Sequence, residues 1–328
     1  MLERVFMLGA TGTIGRATVR ALRSRGHEVV CLVRRPAHGA DQHRQVLSQQ
    51  LEGAIVRYGN VCDPQSIVRD GLQGERFEIL VSCLASRTGA PEDAWAIDHQ
   101  AHLHALQAAP QAGIRHMILL SAICVQKPLL EFQKAKLAFE TALMDCGLNY
   151  SIVRPTAFFK SLSGQLDRLR RGKPFLIFGD GRLTACKPIS DEDLANYLAD
   201  CIGDSSRHRA VLPIGGPGPA LTPLEQGQLL FKALGQPARF RQVPVGLLDA
   251  IVGLLDLAGT LLPRLKKKAA LARIGRYYAT ESMLVLNPAT GLYDAQATPS
   301  TGQQTLGDFY QQLVAGRVRI DRGEHAVF

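Results

Sequence analysis

Lys136 follows Phe132 by four residues in LLEFQKAKLAFE (129–140), so the ammonium and the ring share one helical face, a turn apart. A tyrosine in place of Phe132 would complete a Tyr-x-x-x-Lys pair, which protonates the oxygen formed when a carbonyl takes up hydride. Here the phenol is missing. Either that chemistry has been lost, or the reaction never needed a phenol to protonate an oxygen.

A second group with chemical content lies near the N-terminus, where GATGTIG (9–15) follows an apolar run and opens a helical pattern. Gly9 permits a tight turn, Gly12 lets the backbone come close to a pyrophosphate, and Gly15 lets helix pack on strand. Thr11, Thr13 and Ile14 complete a loop whose unpaired N–H groups and positive dipole end suit phosphate oxygens. In this strand–turn–helix setting the loop predicts dinucleotide binding. About twenty residues further on, a carboxylate would hold the ribose 2′-hydroxyl of NAD. The chain instead reads CLVRRP, and Arg34 with Arg35 suits a 2′-phosphate, so the expected cofactor is NADPH. Asn60 and Asp63, in GNVCDP, would lie near the adenine edge; a turn role competes with that reading.

Positioning these groups requires a parallel sheet covered by helices. Apolar runs at 4–9, 28–33, 54–59, 78–84, 116–121 and 150–155 read as strands buried on both faces, and a seventh at 210–216 returns after an insertion. IGRATVRALRSRG reads as a helix stopping at Gly26, and DAWAIDHQAHLHALQAAPQAG as another ending near Gly113. The expected fold is α/β: a Rossmann-type doubly wound parallel sheet with a smaller, discontinuous substrate-binding lobe over the carboxyl ends of the strands. The NADP-binding part would span 1–157 with a strand return near 191–217, and the lobe 158–190 with 218–328.

With 46% hydrophobic and 20% charged residues, the 328-residue chain suits a globular core. Its 7 cysteines are scattered and form no C-x-x-C, which argues against a disulfide framework, a zinc site and an iron–sulfur cluster. His99, His102 and His104 share a helix, but no carboxylate or cysteine completes a ligand set, so no metal is expected. No cationic, apolar leader precedes the first strand, which makes the cytoplasm the default. The net charge of +9 is carried partly by PRLKKKAALARIGR (263–276). It suits an anionic small molecule or an anionic membrane surface; no nucleic-acid module accompanies it. VPVGLLDAIVGLLDLAGTLLP (243–263) is nearly long enough to span a bilayer, yet Asp249 and Asp256 share one face. A helix packed in the lobe is preferred to one lying in a membrane interface.

These motifs resemble the atypical or extended short-chain dehydrogenase/reductase superfamily, in its NmrA-like branch. The resemblance implies Ser121 at the end of the fifth strand and Lys136 on the next helix, facing the nicotinamide ribose. It also implies that Pro155, Thr156 and Phe158 of RPTAFF, and Leu84 and Ala85 of CLASRTG, line the cofactor.

From about residue 81 onward the blocks CLASRTG, LLSAICVQKPLLEFQKAKLAFE, YSIVRPTAFFKSLSGQ, FGDG, CKPISDEDLA, VLPIGGPGPALTPLEQG, RIGRYYATESMLVL and GEHAVF are similar to a narrower family. It comprises the NADPH-dependent 8-vinyl reductases of 3,8-divinyl (proto)chlorophyllide a. That resemblance implies reduction of a macrocycle's 8-vinyl group to ethyl in (bacterio)chlorophyll synthesis, on a magnesium tetrapyrrole substrate, divinyl chlorophyllide a or its proto form. The lack of a transit peptide favours a bacterial member. Hydride addition to a conjugated vinyl group puts charge into the ring system rather than onto an oxygen, so Phe132 becomes an apolar wall. Lys136 would bind the cofactor ribose and hold positive charge near the reacting centre. Ser121 would orient nicotinamide or substrate, or cap the strand. Phe158 and Phe159 would stack on the macrocycle, Lys160 would meet its propionate, Arg273 and Arg276 would also suit that carboxylate, and Tyr277 would lie against the substrate. Tyr277, Tyr278, Glu131 and water remain open as the proton source. Two other readings stand beside this one: a non-catalytic NADPH-binding sensor or pigment-assembly factor, and reduction of a different conjugated alkene.

Overall fold

The computed structural model describes residues 2–35, 46–47 and 49–318; the GEHAVF block lies outside the described residues. Each expected strand forms: β1 (Arg4–Leu8), β2 (Glu28–Arg34), β3 (Ile55–Gly59), β4 (Ile79–Ser82), β5 (His116–Leu120) and β6 (Asn149–Pro155). After β7 (Phe175–Phe178), which stands apart, β8 (Ala210–Ile214) returns to the sheet. The seven strands run in the order β3-β2-β1-β4-β5-β6-β8, parallel throughout.

Alternation along each strand explains the near-continuous apolar runs. Val5, Met7, Cys31, Ile79 and Val81 enter one core with Leu22 and Leu198 of the covering helices Thr13–Ser24 and Asp191–Asp200. Phe6, Leu8, Val30, Leu32 and Leu80 enter the other, with Leu106 of the helix His102–Ala108 and Phe139 of the helix Glu131–Asp145. Both faces are dry, as a parallel sheet wound by helices demands. The winding reverses between β1 and β4, the place where such sheets open a ligand crevice.

One helix departs from its sequence pattern. Where the pattern predicts a continuous helix, the chain makes Pro91–Ala94, a π-helical stretch Trp95–Ala101, and only then His102–Ala108. The wider turn holds an extra residue, and Ile97, Asp98, Ala101 and His102 are all buried.

Beyond the sheet, β7 pairs in parallel with β9 (Phe240–Val243). A separate core there unites Phe159, Leu166, Phe175, Phe231 and Tyr310. The segment 243–280 forms two helices, Val245–Leu261 and Pro263–Thr280, packed on one another. Asp256 meets Arg273 at 2.5 Å, and Asp249 pairs with Arg276. The acidic stripe is therefore turned toward the neighbouring helix, and Leu247, Ile251 and Leu254 stay exposed. No helix of the described residues is long and apolar enough to cross a membrane.

Candidate active site

The three glycines of the first turn answer to different constraints. Gly9 has φ +75, and a Cβ there would stand 2.5 Å from the Cys83 carbonyl. A Cβ on Gly15 would stand 2.0 Å from the Gly9 oxygen, so both are required by packing. Gly12 is not: its φ is −69, and a Cβ would meet only the Gly9 oxygen, at 3.6 Å. The space above Gly12 belongs to whatever binds. Gly12 is also an N-cap without a side-chain acceptor, which leaves first-turn N–H groups of the helix Thr13–Ser24 for an anion. The loop fits a pyrophosphate.

Arg34 and Arg35 are exposed at the end of β2, and neither forms an ion pair with another described residue. Asp70 directs its carboxylate to Arg69 at 2.8 Å and to the Ser66 hydroxyl at 2.6 Å, not to them. Asn60 and Asp63 both make turn contacts. Asn60 Oδ1 accepts from Cys62 N at 3.0 Å, and Asp63 Oδ1 accepts from Gln65 N at 3.0 Å, capping a short helix.

Lys136 reaches inward. Its ammonium lies 2.9 Å from Asp98 Oδ1, on the π-helical stretch. The same oxygen accepts from Ser86 N at 3.2 Å, fixing the loop after β4 that carries Leu84 and Ala85 and closes on Gly9. Asp98 Oδ2 is buried without a hydrogen-bond partner among the described residues. Beside it, His102 Nδ1 lies 2.9 Å from the Ile97 carbonyl and Nε2 lies 2.8 Å from Ser82 Oγ. A carbonyl only accepts, so Nδ1 carries the proton and Nε2 receives the serine's. Burial, with Lys136 nearby, pushes His102 down to about 4. Asp98, His102, Leu119, Leu120, Ser121, Lys136 and Phe139 line one small cavity.

Ser121 is buried, and its hydroxyl donates to Glu140, which is also paired with Arg154 of the RPTAFF segment. Its proton is committed there and not to the crevice. Glu140 lies one turn beyond Lys136 on the helix that starts at Glu131. Thr156 spends its hydroxyl on the Lys187 carbonyl and its N–H on the Ile214 oxygen at 2.9 Å. Pro155 ends β6 as a buried residue, and Phe158 packs on the first core. Asp98 and Glu140 escaped the sequence reading, although the spacing 132–136–140 puts Glu140 on the face of the two residues singled out. Asp98 and His102 are the buried polar residues on an inner face otherwise made of Ile97, Ala101, Ala105 and Leu106.

The residues assigned to the substrate fare unevenly. Phe132 is half-buried and packs on the cluster that unites Ile123, Cys124, Leu130, Ile274 and Tyr277, and a Cβ on Gly89 would lie between its ring, at 3.5 Å, and Ile274, at 3.0 Å. Phe159 is not available for stacking: it is 2% exposed, with its ring 5.2 Å from that of Phe309. Lys160 does not point into the lobe either. It donates to Thr13 Oγ1 at 3.2 Å, over the glycine loop. Tyr277 is buried, and its hydroxyl donates to the Cys124 and Lys127 carbonyls at 3.0 and 3.2 Å. Burial raises its pKa, which removes it further from proton donation. Arg276 and Arg273 are engaged by Asp249 and Asp256, bracing the helix pair. Glu131 is held below the usual carboxylate range by Lys134 and the Trp95 indole, and so stays ionised. No metal-ligating cluster occurs among the described residues.

A doubly wound sheet with this loop at its switch point defines a dinucleotide-binding protein of the Rossmann class, and a family model described as NAD(P)H-binding matches residues 9–205. The chain is 48% identical over 332 residues to the chloroplastic divinyl chlorophyllide a 8-vinyl-reductase of Zea mays, covering 99% of this chain and 82% of that protein. To the protein of the same name from Cucumis sativus it is 47% identical over 99% of this chain and 79% of the relative. The chain belongs to the divinyl chlorophyllide a 8-vinyl-reductase family. Among solved structures, the binary complex of leucoanthocyanidin reductase with NADPH from Vitis vinifera shares the fold. Its TM-score is 0.67 at 16% identity, over 95% of this chain and 99% of that one.

Proposed function

We propose that the protein reduces the 8-vinyl group of 3,8-divinyl chlorophyllide a, or of its proto form, to ethyl with NADPH. The observation that carries the reading is that Lys136 keeps its place, held by Asp98, while an apolar ring replaces the phenol a turn before it. A carbonyl reductase stripped of its acid would have little use for so fixed an ammonium. Reduction of a conjugated vinyl group calls for a cation near the charge that develops in the macrocycle, and for a flat apolar wall. NADPH supplies a hydride when bound, and a proton completes the ethyl group. Lys136 holds positive charge beside the crevice; Phe132, backed by Ile274, forms the wall. Arg34 and Arg35 favour NADPH over NADH. Residues 158–190 and those from 218 onward act as the substrate lobe over a sheet formed by the rest.

The exposed leucine face of Val245–Leu261, followed by exposed Lys266 and Lys268, suits peripheral contact with an anionic membrane. Pelleting with vesicles of anionic lipid tests this; no binding at low salt would remove the idea.

For the reaction itself, purified protein is mixed with divinyl chlorophyllide a and either NADPH or NADH, and the pigments are separated by chromatography. A monovinyl product formed faster with NADPH supports both the reaction and the arginine clamp, whereas equal rates would retain the reductase and discard the clamp. Tight NADPH binding without product from either pigment would favour the non-catalytic reading.

A further inference from the structure

We infer that Lys160 is a ligand of the cofactor pyrophosphate, reaching from the first residues of the lobe across to the glycine loop. The inference deepens the NADPH reading and rests on it. The segment around Lys160 is fixed on both sides. Phe159 N donates to the Ile189 oxygen at 3.3 Å, Ile189 N donates back to the Ala157 oxygen at 3.0 Å, and the Phe159 ring is locked in the lobe core. With its neighbour anchored inward, Lys160 extends the other way, over the carboxyl end of β1. Its ammonium stops 3.2 Å from Thr13 Oγ1.

Thr13 is the first residue of its helix, directly after the Gly12 N-cap that offers no side chain of its own. An anion seated over Gly12 therefore meets first-turn N–H groups, the Thr13 hydroxyl and a lysine from a distant part of the chain at one spot. The hydroxyl can turn between the ammonium and a phosphate oxygen, since it both donates and accepts. A carboxylate shares this corner: Asp191, at the start of the helix Asp191–Asp200, is pushed up to about 6 by burial, opposed by Lys160, Arg16 and Arg20, with Glu192 adding to the rise.

The test is equilibrium binding without pigment, read by the fluorescence of the reduced nicotinamide, for NADPH and NADH in turn. Lys160→Gln should weaken both nucleotides by the same factor, about 10-fold or more, as loss of a charge-assisted hydrogen bond implies. Lys160→Arg should retain most of the affinity. Thr13→Val, which leaves the lysine in place, should weaken both nucleotides as well, and it serves as the second variant if Lys160→Gln folds poorly. Arg34→Gln should weaken NADPH alone. If Lys160→Gln binds both nucleotides as the wild type does and raises only the KM for pigment, the lysine belongs to the substrate and the inference falls. Wild type that binds NADPH and NADH alike would sink the arginine clamp, while an equal loss of both in Lys160→Gln would still uphold the pyrophosphate role.

Discussion

Lys136 Nζ and Asp98 Oδ1 stand 2.9 Å apart, with the carboxylate 0% and the lysine 11% exposed. A pair this deep is costly to break from one side, because the survivor is left as an uncompensated charge. Asp98→Ala should therefore lower stability by about 3 kcal/mol, and Lys136→Met by a similar amount. The double variant Asp98→Leu, Lys136→Met should recover much of the loss in denaturant titration while remaining without vinyl reductase activity. A double variant no more stable than either single one would mean that the two side chains are not a coupled pair.

Phe132→Tyr restores the missing phenol and so asks directly whether the reaction wants it. A positioned general acid contributes about 100-fold or more where an oxygen must be protonated. No such gain is expected here, because the ring packs on the apolar cluster that contains Ile123, Leu130 and Ile274 and the charge to be stabilised lies in the macrocycle. Turnover of divinyl chlorophyllide a should stay level or fall, with about 1 kcal/mol lost from stability for a hydroxyl placed in apolar surroundings. A large rise in turnover would show that the reaction does use an oxygen acid.

Burial gives His102 a sign-definite effect on stability. Its folded pKa is pushed down to about 4 from 6.5. Between these values the unfolded chain binds the proton and the folded chain does not, so stability rises with pH through that window and falls as pH drops through it. The wild type should lose about 3 kcal/mol more than His102→Gln on going from pH 7 to pH 4. Thermal unfolding of both proteins across that range measures the difference, and parallel pH profiles would count against the buried neutral imidazole.

Much of this arrangement was legible because parallel strands buried on both faces leave unbroken apolar runs, and because a tight strand-to-helix turn needs glycines at particular places. The Lys136–Phe132 spacing could be read for the same reason: helical geometry alone puts the two on one face. What could not be read depends on tertiary contacts. The π-helical turn that carries Asp98 inward has no local signature in AWAIDHQA. The direction of Lys160 is set by Ile189, far along the chain, and not by its neighbours in AFFKSL. Tyr277 and Arg276 looked like substrate residues because RIGRYY offers a cation for a carboxylate and aromatic rings for a macrocycle. Their partners, two main-chain carbonyls and Asp249, come from other elements.

The glycines of the first turn separate packing from binding. Gly15→Ala would drive a Cβ to 2.0 Å from the Gly9 oxygen, which the backbone can relieve only by moving, so a loss of about 3 kcal/mol or a failure to fold is expected. Gly12→Ala faces no such obstacle, with 3.6 Å to the one atom in reach and a φ of −69 that any residue adopts. It should fold as the wild type does and unfold at the same denaturant concentration. Its methyl group would nevertheless occupy the place of the phosphate, and NADPH affinity should drop by about 10-fold or more, as lost charge-assisted hydrogen bonds imply. Circular dichroism and nucleotide fluorescence on the same preparation check both halves. Unchanged affinity in a well-folded Gly12→Ala would place the pyrophosphate somewhere other than over this turn.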